Sequence, residues 1–262
     1  MLYGGHDPGV CCLSHGACVL WFLGYPDRAL QRIHEALTLG QELAHPHSLA
    51  IALHFAAELH QLRREGQVAQ ERAAMEIALS EEQGAVQWLA RGTILRGWAL
   101  AWQGQGAEGL AQMCQGLSAY RATVAEEQRA YFLALLAEGY RGTGEVQEGL
   151  RVLAEALAAA HHRGERYCDA ELHRLTGELL LLQSTDRHAE AEACFQQAMA
   201  VARRQQAKSW ELRAATSLAR LWQQQGKRAA AYDLLAPVYG WFTEGFDTAD
   251  LREAKALLEE LV

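Results

Sequence analysis

Gly104, Gly106 and Gly109 spell GxGxxG, the pattern with which a strand-to-helix turn cradles a dinucleotide pyrophosphate. That chemistry needs a strand to deliver the glycines. Here a helical run, residues 94–102, precedes them, so the spacing is read as a turn. His54 and Glu58 stand one helical turn apart and could share a face with Cys18 or Trp98 of neighbouring helices, the beginning of a metal site. No HExxH accompanies them, and a third and fourth ligand cannot be named. His161 and His162 precede Gly164, where imidazoles suit the carbonyls and dipole of a helix C-terminus. His6 and Asp7 could form a phosphohydrolase ligand pair, but the Pro8 and Gly9 that follow read as a cap or turn. Neither Cys11 nor Cys12 has a histidine and an acid at a nucleophile's spacing, and GxSxG does not occur. These residues predict no catalytic site, no cofactor and no metal.

The elements that carry them repeat. Small residues recur at Ala17, Ala57, Gly97, Ala137 and Gly177, forty apart each time, then at Ala219 after forty-two. A second series keeps step at Ala29, Ala69, Gly109, Gly149, Ala191 and Ala231, and a third at Leu37, Ile77, Leu117, Leu157, Met199 and Tyr239. The two extra residues fall in the turn at residues 184–188. Each unit reads as two amphipathic helices joined by a tight turn, with Pro26 and Pro46 opening helices where a missing N–H costs nothing. A glycine inside a helix costs about 1 kcal/mol relative to alanine. Gly97, Gly109, Gly116, Gly149 and Gly177 therefore mark the lines where paired helices touch.

The expected architecture is all-α: a right-handed α-solenoid of about six helix-turn-helix repeats and a C-terminal capping helix. It forms one domain over residues 1–262, with repeats at 8–45, 46–84, 85–124, 125–163, 164–206 and 207–244 and the cap at 247–261, where Asp247 is the expected N-cap. Alanine, leucine, glutamate, glutamine and arginine dominate, and β-branched residues never alternate. The net charge of -8 counts against a nucleic-acid surface. Mean hydropathy is -0.15, and no apolar run approaches the roughly 20 residues that span a bilayer. Six cysteines, Cys11 and Cys12 adjacent and the other four scattered, without a CxxC, fit reduced thiols in a cytoplasmic protein.

The small residue in helix A, followed three places on by Leu20, Leu100, Tyr140, Leu180 or Trp222, resembles the tetratricopeptide repeat. So do the turn glycine and the alanine after it, Gly24 with Ala29 and Gly226 with Ala231, and the pair Phe195 with Ala198. The period departs from that family, forty against thirty-four, and the closing proline is mostly missing. A longer unit resembles the helical-repeat regions of large bacterial signalling ATPases, including maltose-regulator-like transcription factors and cyclases fused to an ATPase. The stretches YGGHDPGV (residues 3–10) and LLAPVYGWFTEGFDTADLREAKALLEEL (residues 234–261) are similar to the C-terminal region of the cyclase–ATPase proteins. That resemblance implies a sensory or scaffolding tail. The chain holds no GxxxxGK[ST] loop, so the parent's ATP binding and cyclase chemistry fall on no residue here.

A solenoid presents one face of every helix A to its concave side. Projecting the repeat places Trp21, His54, Glu58, Arg91, Trp98, Tyr131, Glu138, Arg141, Glu171, Arg174, Glu178, Arg213 and Arg220 there. Aromatics and arginines anchor interfaces, and alternating Glu and Arg can grip a polar peptide; the same charges also suit interhelical ion pairs. The expected partner is a protein or peptide segment, including the parent's own ATPase or cyclase domain. The competing expectation is a metabolite held among Trp21, Trp98 and Tyr131.

Overall fold

A computed structural model describes residues 5–123 and 125–262, and within them the chain forms thirteen α-helices, one short 3-10 turn and no strand. Tyr3 and Gly4 of the cyclase-like stretch, and Val124 at the close of the third repeat, lie outside the described residues. Contacts gather the helices into two compact units. The first, residues 1–21 and 26–126, carries α1 (Pro8–Phe22), α2 (Pro26–Glu42), α3 (Pro46–Leu62), α4 (Gly66–Gln83), α5 (Val86–Trp102) and α6 (Gly106–Ala122). The second, residues 22–25 and 127–262, carries α7 (Arg129–Thr143), α8 (Val146–Arg163), α9 (Asp169–Gln183), α10 (His188–Gln205), α11 (Lys208–Gln224), α12 (Arg228–Tyr239) and α13 (Ala249–Leu261).

The odd-numbered helices α1 to α11 are the helix A of each repeat, the even-numbered ones are helix B, and α13 follows them singly. The local signals act as the sequence suggests. Asp7 caps α1 by accepting a 2.9 Å hydrogen bond from the Val10 amide, and Pro46 stands at the head of α3. Gly164 closes α8 in the left-handed region at φ +74°, behind His161 and His162 in its last turn. The two surplus residues fall at the three-residue 3-10 turn Thr185–Arg187. One cap moves: α13 starts at Ala249 with Thr248, not Asp247, in the N-cap position. The Thr248 hydroxyl donates back to the Gly245 carbonyl at 2.7 Å, which ties down the preceding loop.

The small-residue series mark helix contacts. Ala17, Ala57, Ala137 and Ala219 are fully buried, as are Ala29, Ala69, Ala191 and Ala231. Gly97 and Gly109 oppose each other between α5 and α6. A methyl at Gly97 would lie 2.7 Å from the Gly109 carbonyl oxygen, and one at Gly109 would lie 2.4 Å from that of Gly97. The GxGxxG pattern is thus a turn, with Gly104 at φ +91°, followed by a packing glycine. Gly177 gives the Phe195 ring its room, since a methyl there would lie 2.5 Å from the ring. Helix A elements are packed on several sides at once: in α3 every residue from 50 to 62 is buried, and in α11 every residue from 209 to 219. Polar side chains on these helices are therefore buried with them and must find partners there.

Candidate functional site

Within the first unit, charges from α3, α4 and α5 gather around His54. Its Nδ1 lies 3.1 Å from Glu76 Oε1 of α4, and its Nε2 lies 3.7 Å from Glu58 Oε2 one turn along α3. The imidazole packs against Trp88 at 5.4 Å between centroids. Arg91 of α5 covers the same tryptophan at 4.8 Å and donates to the Tyr120 hydroxyl at 3.3 Å. Gly92 leaves space for the Glu76 carboxylate, because a methyl there would lie 3.2 Å from Oε2. That oxygen has no hydrogen-bond partner, and neither does the buried Ser80 hydroxyl one turn along α4. Burial pushes the Glu76 carboxyl above its ordinary range; His54 and Arg91 pull it back, and Glu58 adds to the rise. Cys18 is buried near Glu58, and its thiol is pushed up chiefly by desolvation. Among the described residues no group of three His, Cys, Asp or Glu side chains has the geometry to hold a metal ion. His54, Glu58 and Arg91 thus form an interior polar seam.

The second unit carries a longer network across α7, α9, α11 and α13. Arg174 forks onto Glu171 with bonds of 2.7 and 2.8 Å and reaches Glu178 at 3.0 Å. Arg213 donates to Asp250 of α13 at 2.8 Å, lies 3.4 Å from Glu171, and stacks over Trp210 at 5.0 Å. The Ser217 hydroxyl donates to Glu178 at 2.7 Å, and Arg141 of α7 reaches the other Glu178 oxygen at 3.4 Å. Burial alone would raise the Glu178 carboxyl, but Arg174, Arg141 and the Ser217 hydroxyl hold it below the usual carboxylate range. Arg174 is desolvated, yet its two carboxylate partners raise its pKa further, so it stays charged.

Burial divides this network in two. Glu171, Arg174 and Arg213 are sealed, with side chains 7, 4 and 3% exposed. Towards the C-terminal ends of the same helices the charges reach water: Arg141 is 32% exposed, Glu178 23%, and the Arg220–Glu253 pair 46 and 41%. Glu138, half-buried one turn before Arg141, completes this strip of alternating sign. Trp21, Trp98 and Tyr131 are 2, 2 and 3% exposed and belong to the core, with Trp98 stacked on Trp102 at 5.4 Å. Of the projected residues, Glu138, Arg141, Glu178 and Arg220 are therefore the ones solvent reaches. Asp250, Glu253 and Ser217 were not in the projection; Asp250 and Glu253 sit on the capping helix, which the forty-residue frame does not register. Glu76 escaped because it lies on a helix B.

No family model matches this chain. An uncharacterized protein, R02095 of Rhizobium meliloti (strain 1021), is 26% identical over 219 residues, which are 84% of this chain and 21% of that protein. The chain thus spans about a fifth of the length of that curated relative. Among solved structures, a Rap protein complexed with Competence and Sporulation Factor is similar with a TM-score of 0.60 at 14% identity, over 97% of this chain and 80% of that one. A Podosopora anserina protein of nearly identical TPR-like repeats gives a TM-score of 0.48 at 19% identity, over 80% of this chain and 94% of that one. The fold, an all-α series of helix-turn-helix hairpins, is shared with the Rap protein structure.

Proposed function

We propose that this chain is a non-catalytic repeat scaffold that binds a protein segment along the helix A strip of its second unit, with Glu138, Arg141, Glu178 and Arg220 as the contact residues. The observation that carries the reading is the division of the network. Its inner members are locked by one another, while the outer members keep charged atoms in solvent on four adjacent helices. A row of alternating sign on a rigid scaffold offers donors and acceptors to an extended main chain at little ordering cost. The similarity to a Rap protein captured with Competence and Sporulation Factor supports a repeat fold used for recognition. A metabolite pocket is less well supported, because Trp21, Trp98 and Tyr131 are buried. The much greater length of the Rhizobium meliloti relative and the resemblance of residues 234–261 support a place within a larger bacterial signalling ATPase or cyclase. The partner then includes that protein's own ATPase or cyclase domain.

The test is a selection from a random fifteen-residue peptide library on the wild-type chain, followed by titration of the winners against Arg141→Glu/Arg220→Glu. The reading expects at least a tenfold loss of affinity, about 1.4 kcal/mol, in a variant that still folds by circular dichroism. Equal affinity for both proteins would refute it.

A further inference from the structure

Helix α1 departs from every later helix A in one respect. Its fifteen residues include no Asp, Glu, Lys or Arg, yet one face is open to solvent: Cys12 is exposed, Val19 is 50% exposed, and Gly16 between them has nothing within 4 Å of where a methyl would sit. In the later helices A the phases of Cys12 and Val19 are sealed. Forty residues after Cys12 stands Ala52, and Leu172 and Ala214 keep that phase in α9 and α11; each is 0% exposed. Leu59, Ala99 and Leu179 stand at the phase of Val19 and are also 0% exposed.

In α3, α5 and α9 the seal is the helix B of the preceding repeat. A methyl on Gly40 of α2 would lie 3.7 Å from the Ala52 methyl, Gly92 of α5 faces Ile77 of α4 at 3.0 Å, and Gly149 of α8 faces Leu179 at 2.8 Å. An uncharged helix with small residues along its outer line is built to be covered by another helix at close range. Helix α13 of the second unit differs, because it turns Arg252, Lys255 and Glu259 to solvent.

We propose that Cys12, Gly16 and Val19 form a seat for the helix B of one further helical hairpin of this same repeat. The occupant is an amphipathic helix with the small and aliphatic ridge that Ala36, Leu37 and Gly40 give to α2. The assignment is independent of the peptide-binding strip in the second unit.

The test extends the full chain at its N-terminus with a tandem copy of residues 6–45, a forty-residue insertion that keeps the repeat in register, with the copy's own cysteines replaced by alanine. The copied α2 should then cover the native α1. Iodoacetamide labelling of the original Cys12, read by mass spectrometry, should slow by about tenfold or more, and amide exchange over residues 12–19 should slow with it. An unchanged Cys12 rate alongside a folded copy would overturn the proposal. So would a copy that stays unstructured on a folded chain, because the face then offers no seat. Concentration-dependent dimerisation of the unextended chain, abolished by Val19→Lys, would also overturn it by making a second copy the occupant.

Discussion

Substituting Gly109 by alanine separates close helix packing from helix propensity, because the two act with opposite signs. Propensity alone favours Gly109→Ala by about 1 kcal/mol. The new methyl, however, would meet the Gly97 carbonyl oxygen at 2.4 Å, the Ala101 amide nitrogen at 2.5 Å and the Ala101 methyl at 2.8 Å. Two of those atoms are backbone and cannot turn aside, so α5 and α6 must separate. Overpacking of this kind costs about 1–3 kcal/mol. Taking the upper end, the net loss is about 2 kcal/mol, a fall in melting temperature of about 6 °C at 3 °C per kcal/mol. Gly16→Ala in the same unit meets nothing within 4 Å and should gain the propensity alone, a rise of about 3 °C. Differential scanning calorimetry of the two variants decides the matter. If Gly109→Ala melts higher, as Gly16→Ala does, the glycine series does not mark helix contacts.

The buried charges give three further tests. Arg174→Ala leaves Glu171 and Glu178 without the guanidinium between them and should cost about 3–5 kcal/mol in urea unfolding, whereas Arg220→Ala, at an exposed pair, should stay within about 1 kcal/mol. Glu76 has a raised carboxyl in the folded chain, so its charged form destabilises the first unit at neutral pH, and the penalty fades as pH falls through the folded value. Glu76→Gln should therefore be the more stable protein at pH 7, with the gap to wild type closing on mild acidification in paired thermal melts. Glu178 has the opposite sign: its lowered carboxyl contributes stability that is present above the ordinary carboxylate range and lost as pH falls through the folded value. Acid titration followed by circular dichroism should show a shallower loss in Glu178→Gln than in wild type.

The hairpins were legible because helix contact selects small side chains, and a series such as Ala17, Ala57, Gly97, Ala137 and Gly177 needs no three-dimensional information to be seen. The site was legible only in part. Projection treats one face of helix A as free, but α3 and α11 are enclosed on several sides, so His54, Glu58 and Arg213 went inward with the apolar residues beside them. Glu171 and Arg174, three apart on one helix, have the same spacing whether they sit on a surface or beneath one. What distinguishes them is Asp250, thirty-seven residues beyond Arg213, whose place depends on how α13 lands on α11. The cap shifted from Asp247 to Thr248 because both residues suit an N-cap and the choice rests on a bond to the Gly245 carbonyl.

The most direct test of the scaffold reading is hydrogen–deuterium exchange of the chain with and without a selected peptide. Protection should appear at the C-terminal ends of α7, α9 and α11, around Arg141, Glu178 and Arg220. Protection confined to α8, α10 and α12 would put the ligand on the helix B side and contradict the account.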